Sequence, residues 1–343
     1  MPLPSPPQAD GYPMTQPVFD MPTPAEPNWA LPLPLDDLPT CARLIAEVSG
    51  KPLEEVCRRL RQEHRCLGSN VRDAMQTHAV PRYVQSAALQ ELYADTDSFL
   101  YETLVWNRCP TKQAMRNRII KTLQAMGIKA ARILVFGDGL GFDCTALALA
   151  GHAVTYYEIG SHSLGFARHV FALNRVHVQV CLSVDHLPRE SFDAIVCLDV
   201  LEHIADPPGM VHALSQHLRS GGVFFSHAPF AYLHPCVGTH LRSNARYSGD
   251  WRQLYGANGF VPVDGAFFWN PIVLQKSGLQ PPHRFPFRRS IAWSIGGWLL
   301  ALSRFWPGPY TVLCRLIAAG QSAHLTCDGL DNLSPDNSFA PVE

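Results

Sequence analysis

The chain has 343 residues, of which 17% are charged, and its formal net charge is −1 at pH 7. This length has room for two domains, or for one large domain with extensions. Because the charge is nearly balanced, no global basic field recruits nucleic acid, and we expect no nucleic-acid partner.

The N-terminal residues 1–39 are rich in proline and show no apolar period. Such a composition cannot bury a core, so we predict a disordered or polyproline-II tail. The first residues show no basic and apolar regions of a secretory signal. The ten cysteines lack metal-binding spacing. Both features lead us to expect a protein of the reducing cytoplasm.

Apolar residues recur at helical spacing over residues 40–126, so we predict a helical extension there. A first pair of helices is broken at 49–52, and a second block covers 86–106 and 112–126. Arginines on the polar side of the second helix leave helix-turn-helix DNA binding as an alternative, although a solvated helical cap is preferred. We expect these helices to lie beside the ligand cleft and to shape the substrate pocket.

Residues 127–276 alternate between strands and helices. Strands are predicted at 132–136, 153–157, 178–183, 194–199 and 222–227, with helices at 143–150, 161–174, 208–218 and 250–257. A closing pair, 260–263 and 266–274, is joined at Asp264-Gly265 and is typical of an antiparallel hairpin. The order predicts an α/β, Rossmann-like, doubly wound, mostly parallel seven-stranded sheet, with the ligand crevice at the carboxyl ends of its strands.

A glycine-rich turn follows the first strand of this region. Gly137, Gly139 and Gly141 precede a helix, and Glu158 ends the next strand. Helix N-termini bind anions, and an acid at this strand end can bind ribose hydroxyls, so a ligand with a ribose and a charged tail is expected. The spacing is G-x-G-x-G, whereas dinucleotide enzymes have G-x-G-x-x-G; Phe142 occupies the third position here.

Three motifs in order resemble those of class I S-adenosylmethionine-dependent methyltransferases. The glycine turn resembles their motif I. Residues 191–203, Ser-Phe-Asp-Ala-Ile-Val-Cys-Leu-Asp-Val-Leu-Glu-His, resemble the FDxIxxxxVLEH strand of the subgroup that includes the ubiquinone-pathway O-methyltransferases. Residues 218–222 resemble the LxxGG turn. The resemblance covers residues 121–276.

The resemblance implies S-adenosylmethionine as cofactor. The residues it assigns to the cofactor are Gly137, Asp138, Gly139, Gly141, Glu158, Asp185 and Asp199. Asp185 matches the position that meets the adenine amino group. The acid that the family has two residues before the first glycine is Val135 here. Asp138 or Asp143 therefore takes over the amino-group contact, or Asp143 only stabilises the helix N-terminus.

Three histidines are candidates for a general base, because imidazole titrates near neutrality. They are His203, His227 and His240. A group similar to Asp199, Glu202 and His203 is associated with a divalent metal in ubiquinone-type enzymes. We expect a structural hydrogen-bond cluster without metal at these positions and keep a metal site as the alternative.

The motifs together predict methyl transfer to a small-molecule or lipid-like acceptor, at oxygen. The alternative is a non-catalytic protein that keeps the fold for binding or scaffolding, and Val135 is its best support. The motifs leave both the oligomeric state and the acceptor open.

For the C-terminal region, 277–343, the sequence predicts an apolar helical segment followed by a polar tail. The apolar run within 288–318 is too short to span a bilayer. It carries Trp293, Trp298, Trp306 and Tyr310 beside arginines. We expect it to pack on the core or on a partner subunit, with peripheral contact to a membrane surface as the alternative.

Overall fold

A single seven-stranded sheet is at the centre of the computed structural model, which describes residues 31–278, 287–323, 325, 327 and 329–333. The strands are β1 Arg132–Phe136, β2 Ala153–Tyr157, β3 Val178–Cys181, β4 Phe192–Leu198, β5 Leu218–His227, β6 Phe260–Gly265 and β7 Ile272–Lys276. Their order across the sheet is β3-β2-β1-β4-β5-β7-β6. The first five are parallel, and β7 runs antiparallel to both of its neighbours. The predicted fold class is confirmed.

Twelve α-helices occur in the described part of the chain. They are α1 Leu38–Ser49, α2 Leu53–Arg65, α3 Ser69–Thr77, α4 Ala87–Asp95, α5 Ser98–Arg108, α6 Pro110–Ala125, α7 Phe142–Leu149, α8 Ser161–Leu173, α9 Pro207–His217, α10 Trp251–Leu254, α11 Phe287–Ser303 and α12 Pro307–Ala323. Of the predicted tail, only 31–39 is described, and α1 already begins within it. Asp37 starts α1 by accepting the Thr40 N–H, and Gly50 ends it at φ 66°.

The turn predicted at Asp264-Gly265 is wrong. Both residues lie in β6 and pair with Val273 and Ile272 of β7. The connection is made by residues 266–271, so β7 also begins later than expected. Pro262 has no N–H for the ladder, the register shifts just after it, and the buried Asp264 is held in the strand by Arg118 at 3.0 Å.

Helix boundaries differ from the prediction in three further places. The second helical block is interrupted between Asp95 and Ser98, which gives α4 and α5, and α3 was not anticipated. The helix predicted at 250–257 is α-helical only over Trp251–Leu254. A short 3₁₀ turn follows and ends at Gly259, whose φ of 77° closes it.

The helical extension shares one apolar core with the glycine-turn side of the sheet. Leu38, Ile45 and Leu104 of the extension are buried with Leu140 and Phe166 of the α/β part. The extension is therefore packed directly over the turn between β1 and α7. Among the described residues, no helix combines the length and apolar character needed to cross a membrane.

Candidate active site

The glycine turn between β1 and α7 can be formed only by glycine. Gly137, Gly139 and Gly141 all have positive φ, of 76°, 65° and 80°. A Cβ on Gly137 would lie 2.4 Å from Cγ2 of Val200, the residue after Asp199. A Cβ on Gly139 would lie 3.0 Å from Thr103 of α5. The turn is thus enclosed between the end of β4 and the helical extension.

Asp138 stabilises the start of α7. Its two carboxylate oxygens accept the N–H groups of Asp143 and Cys144 at 3.1 and 2.7 Å. Burial, with the nearby Asp143 carboxylate, raises the pKa of Asp138 to about 6. Of the roles left open for Asp138 and Asp143, helix stabilisation therefore falls to Asp138 in this structure.

Asp143 joins α7 to α6 through two buried cations. Lys112 Nζ lies 3.1 Å and Arg116 Nε 2.8 Å from its carboxylate. Burial alone would raise the pKa of Asp143, but Lys112 and Arg116 bring it below its usual value. The Nη1 of Arg116 is buried without a hydrogen-bond partner among the described residues. Sequence reasoning missed both cations, although their i, i+4 spacing places them on one helix face.

Glu158 follows β2 directly and lies against the glycine turn. One carboxylate oxygen accepts the Gly139 N–H at 2.9 Å, and the other accepts the N–H groups of Ile159 and Gly160. Burial raises its pKa although these bonds favour the charged form. Asp185 lies farther along the same edge, exposed in a 3₁₀ turn after β3.

Asp199 and His227 form a pair at the ends of β4 and β5. His227 Nδ1 lies 2.5 Å from Asp199 Oδ1, and a carboxylate can only accept here, so Nδ1 carries the proton. Trp106 and Lys112 donate to Oδ2 at 2.8 and 3.2 Å. Burial opposes ionisation of Asp199, but Lys112 and then His227 hold its pKa well below the usual range. The Nε2 of a neutral His227 is left with a lone pair.

His203 and His240 belong to a second cluster, with Glu202. Their ring centres are 4.8 Å apart, and each Nδ1 lies near a backbone carbonyl, of Thr239 and Tyr232 respectively. Burial lowers the pKa of His203 to about 4 and that of His240 well below its ordinary value. The sequence offers all three histidines as candidates for the base, and the structure places His203 next to His240 and His227 next to Asp199.

The second cluster has the composition of a cation site. One ligand atom from each of Glu202, His203 and His240 lies within 4.8 Å of the others. Glu202 is buried, its Oε2 has no partner among the described residues, and burial raises its pKa well above the usual value. A carboxylate and two imidazoles could hold a divalent ion. The sequence grouped Asp199 with Glu202 and His203, but its carboxylate is bound by Lys112 and His227 instead.

Comparison with known proteins identifies the family. Residues 111–280 match the family model described as a methyltransferase domain. The ubiquinone biosynthesis O-methyltransferase of Chromobacterium violaceum is 35% identical over 172 residues, which cover 42% of this chain and 74% of the relative. The chain belongs to the class I S-adenosylmethionine-dependent methyltransferase family. The predicted family and its cofactor, S-adenosylmethionine, are therefore confirmed, and the roles of individual site residues stay predictions.

Other relatives match a shorter part of their own length. The enzyme of the same name from Azotobacter vinelandii is 36% identical over 133 residues, which cover 36% of this chain and 57% of the relative. The chain thus spans about half the length of this methyltransferase. A solved S-adenosylmethionine-dependent methyltransferase from Clostridium acetobutylicum is 23% identical, with coverage of 38% and 55% and a TM-score of 0.33.

Proposed function

We propose that this methyltransferase transfers a methyl group from S-adenosylmethionine to a hydroxyl oxygen of a small-molecule or lipid-like acceptor. The observation that carries the proposal is the Asp199–His227 pair, with 2.5 Å between Oδ1 and Nδ1. It lies at the carboxyl end of β4, next to the Val200 side chain that covers Gly137. In a doubly wound sheet this is the edge where ligands bind, at the point where the strand order reverses between β1 and β4.

The residues around the glycine turn fit the cofactor. Glu158 would hold the ribose hydroxyls, and the backbone of the turn would lie along the methionine part. Of the two cations paired with Asp143 at the start of α7, Arg116 keeps a buried Nη1 that has no hydrogen-bond partner within the described part of the chain. This guanidinium nitrogen fits the carboxylate of the methionine part. When bound, the cofactor supplies a methyl group on a sulfonium centre.

His227 is the residue best suited to remove the acceptor proton. Asp199 fixes the tautomer with the proton on Nδ1, so Nε2 is the ring nitrogen that would accept the proton of the acceptor hydroxyl, and the carboxylate would stabilise the imidazolium that forms. The Glu202 carboxylate lies 3.9 Å from His203 Nε2, farther than Asp199 lies from His227, and burial lowers the pKa of both His203 and His240. A lowered pKa makes them weaker bases.

Helix α12 lies on the side of the site where we expect the acceptor to bind. The loop that carries His240 is covered by α12, where Thr311 Oγ1 lies 3.3 Å from the carbonyl of Ala231. Tyr310 of the same helix packs on Phe268 at 6.2 Å between ring centres. The curated relatives are named as O-methyltransferases of ubiquinone biosynthesis, and an acceptor of that chemistry is our first choice.

Transfer of a tritiated methyl group tests the proposal. The full chain is incubated with labelled S-adenosylmethionine and hydroxylated aromatic acceptors, with and without an isoprenoid tail, or with a lipid extract. We expect an O-methylated product from the wild-type chain and little from His227→Ala. Cofactor binding without methyl transfer to any of these acceptors or to the lipid extract would instead support the non-catalytic alternative.

A further inference from the structure

The two C-terminal helices form a hairpin with an apolar outer face. Ten of the fifteen large hydrophobic residues that are exposed in the described chain belong to it. They are Ile291, Ile295, Trp298, Leu302, Phe305, Trp306, Val312, Leu313, Leu316 and Ile317. Those on α11 recur at intervals of three or four residues, so they form one stripe along the helix. Phe305 and Trp306, in the connection between the helices, are 79% and 72% exposed.

The inner face of the hairpin is fixed to the rest of the protein. Trp293 stacks on Trp269 with 5.6 Å between ring centres, and Leu300 is buried in the core beside the sheet. On α12, Arg315 donates to the backbone carbonyl of Leu67. The apolar stripe is therefore an outer surface of an anchored element, and apolar patches of this kind mark interaction sites.

The surrounding sequence is positive and has no acid. Residues 265–327 contain no Asp or Glu and six Lys or Arg residues, although the whole chain has a net charge of −1. A partner that covers this region should therefore be apolar and anionic. A second copy of the chain would bring the same acid-free, positive segment against it, because a two-fold interface repeats one surface on both sides.

A pocket of about 880 Å³ adjoins the exposed tip. Arg242, Arg246 and Arg304 line it together with Phe305. Among the described residues, no carboxylate pairs with Arg242 or Arg246, which lie over the rings of Tyr83 and Tyr247 respectively. Arg304 Nη1 donates to Asp250 at 3.4 Å, and no described residue accepts a hydrogen bond from its buried Nε. Arg246 donates one hydrogen bond to Tyr247 Oη at 2.9 Å, but neither Arg242 nor Arg246 pairs with a carboxylate of the described chain, so the pocket offers guanidinium groups that suit a phosphate group.

We propose that the α11–α12 hairpin docks this methyltransferase on an anionic phospholipid surface, with a headgroup phosphate in the arginine pocket. Phe305 and Trp306 enter the interfacial zone, where tryptophan is favoured, while the stripe along both helices covers apolar lipid. Neither helix has the length and apolar character needed to cross a membrane, and the contact that we propose is a peripheral one. The proposal concerns a site outside the catalytic residues and does not depend on the methyl-transfer reaction.

Vesicle co-flotation of the full chain tests the docking. Phosphatidylcholine vesicles are compared with vesicles that also contain phosphatidylglycerol. We expect the wild-type chain to float with the anionic vesicles and to dissociate as salt is added, since salt screens the attraction. Phe305→Ser/Trp306→Ser should abolish flotation. Arg242→Gln/Arg246→Gln should weaken partitioning by roughly tenfold or more and remove the preference for phosphatidylglycerol.

Matched changes elsewhere on the surface are the controls. Leu182→Ser removes an apolar side chain that is 68% exposed, and Arg168→Gln/Arg189→Gln removes two exposed arginines. Both variants should float like the wild type. The proposal is overturned if the wild-type chain does not float, or if the controls lose flotation as much as the hairpin variants. It is also overturned if Phe305→Ser/Trp306→Ser converts a dimer into a monomer in gel filtration while vesicle binding is unchanged.

Discussion

At the scale of single residues, the three candidate histidines have different surroundings. Only His227 has a carboxylate partner at 2.5 Å, and this hydrogen bond decides which ring nitrogen can act as a base. We expect His227→Ala to lower the methyl-transfer rate by roughly 10²–10⁴ while the affinity for S-adenosylmethionine stays the same. Steady-state rates and calorimetry measure the two quantities separately.

The matched control is His186→Ala, because His186 is exposed in the turn after β3. It should retain wild-type turnover. Asp199→Asn should also lower the rate, since the amide favours the wrong tautomer of His227. Wild-type turnover of His227→Ala, together with a large loss in His203→Ala, would transfer the role of base to the second cluster.

His152 should make the free energy of unfolding depend on pH. Its Nδ1 accepts the Ala131 N–H at 3.2 Å, and burial lowers its pKa below the ordinary value of 6.5. Below pH 6.5 the unfolded chain binds a proton at His152 that the folded chain resists, so the free energy of unfolding falls as the pH falls. In urea titrations, wild-type protein should lose stability relative to His152→Asn between about pH 7 and pH 5. If the difference in stability between the wild type and His152→Asn stays constant over this pH range, His152 is not the group that makes stability depend on pH.

The sequence predicted the positions of residues best where a motif fixes them at the end of a strand, while their roles stay predictions. Gly137, Gly139 and Glu158 lie together because β1 and β2 are adjacent and parallel. Lys112 and Arg116 could not be found in this way, because their role depends on how α6 packs on α7. Contacts between elements distant in sequence are not encoded in any local pattern.

At the scale of elements, the buried ion cluster between α6 and α7 should matter for stability. Asp143→Ala leaves Lys112 and Arg116 buried without that carboxylate, and we expect a loss of about 3 kcal/mol in the free energy of unfolding. Asp73→Ala breaks the ion pair with Arg72, in which Asp73 is 47% exposed, and should change stability by less than about 1 kcal/mol. Equal effects of the two changes in urea unfolding would rule out a special contribution of the cluster.

Strand positions were predictable where apolar runs are bounded by turns, as in β1 and β2, whose limits agree with the sequence interpretation. The terminal hairpin was misplaced because Asp-Gly is a strong turn signal in isolation. Here the ion pair of Asp264 with Arg118, a residue of α6, keeps Asp264 in the strand. A tertiary contact thus overrides a local preference, which the sequence pattern alone cannot show.

At the scale of the whole molecule, the helical extension, the α/β sheet and the C-terminal hairpin meet around one edge of the sheet. Of the residues of α5, Thr103 lies against the glycine turn and Trp106 donates a hydrogen bond to Asp199. Helix α12 lies over the loop of His240. We therefore expect cofactor and acceptor to bind between the sheet and the two helical parts. The length and composition of these parts predicted their helices, but their placement over the edge required the structure.

Titration of the full chain with S-adenosylmethionine in a calorimeter tests whether the glycine turn and Glu158 form the cofactor site. We predict binding by the wild type, an affinity lower by about 1–3 kcal/mol in Glu158→Ala because its hydrogen-bonding partners are left unpaired, and no binding in Gly139→Val. In the latter, φ of 65° and Thr103 at 3.0 Å leave no space for a branched side chain. Glu91→Ala, an exposed change on α4, should bind like the wild type. Unchanged affinity in both the Glu158 and Gly139 variants would contradict the account.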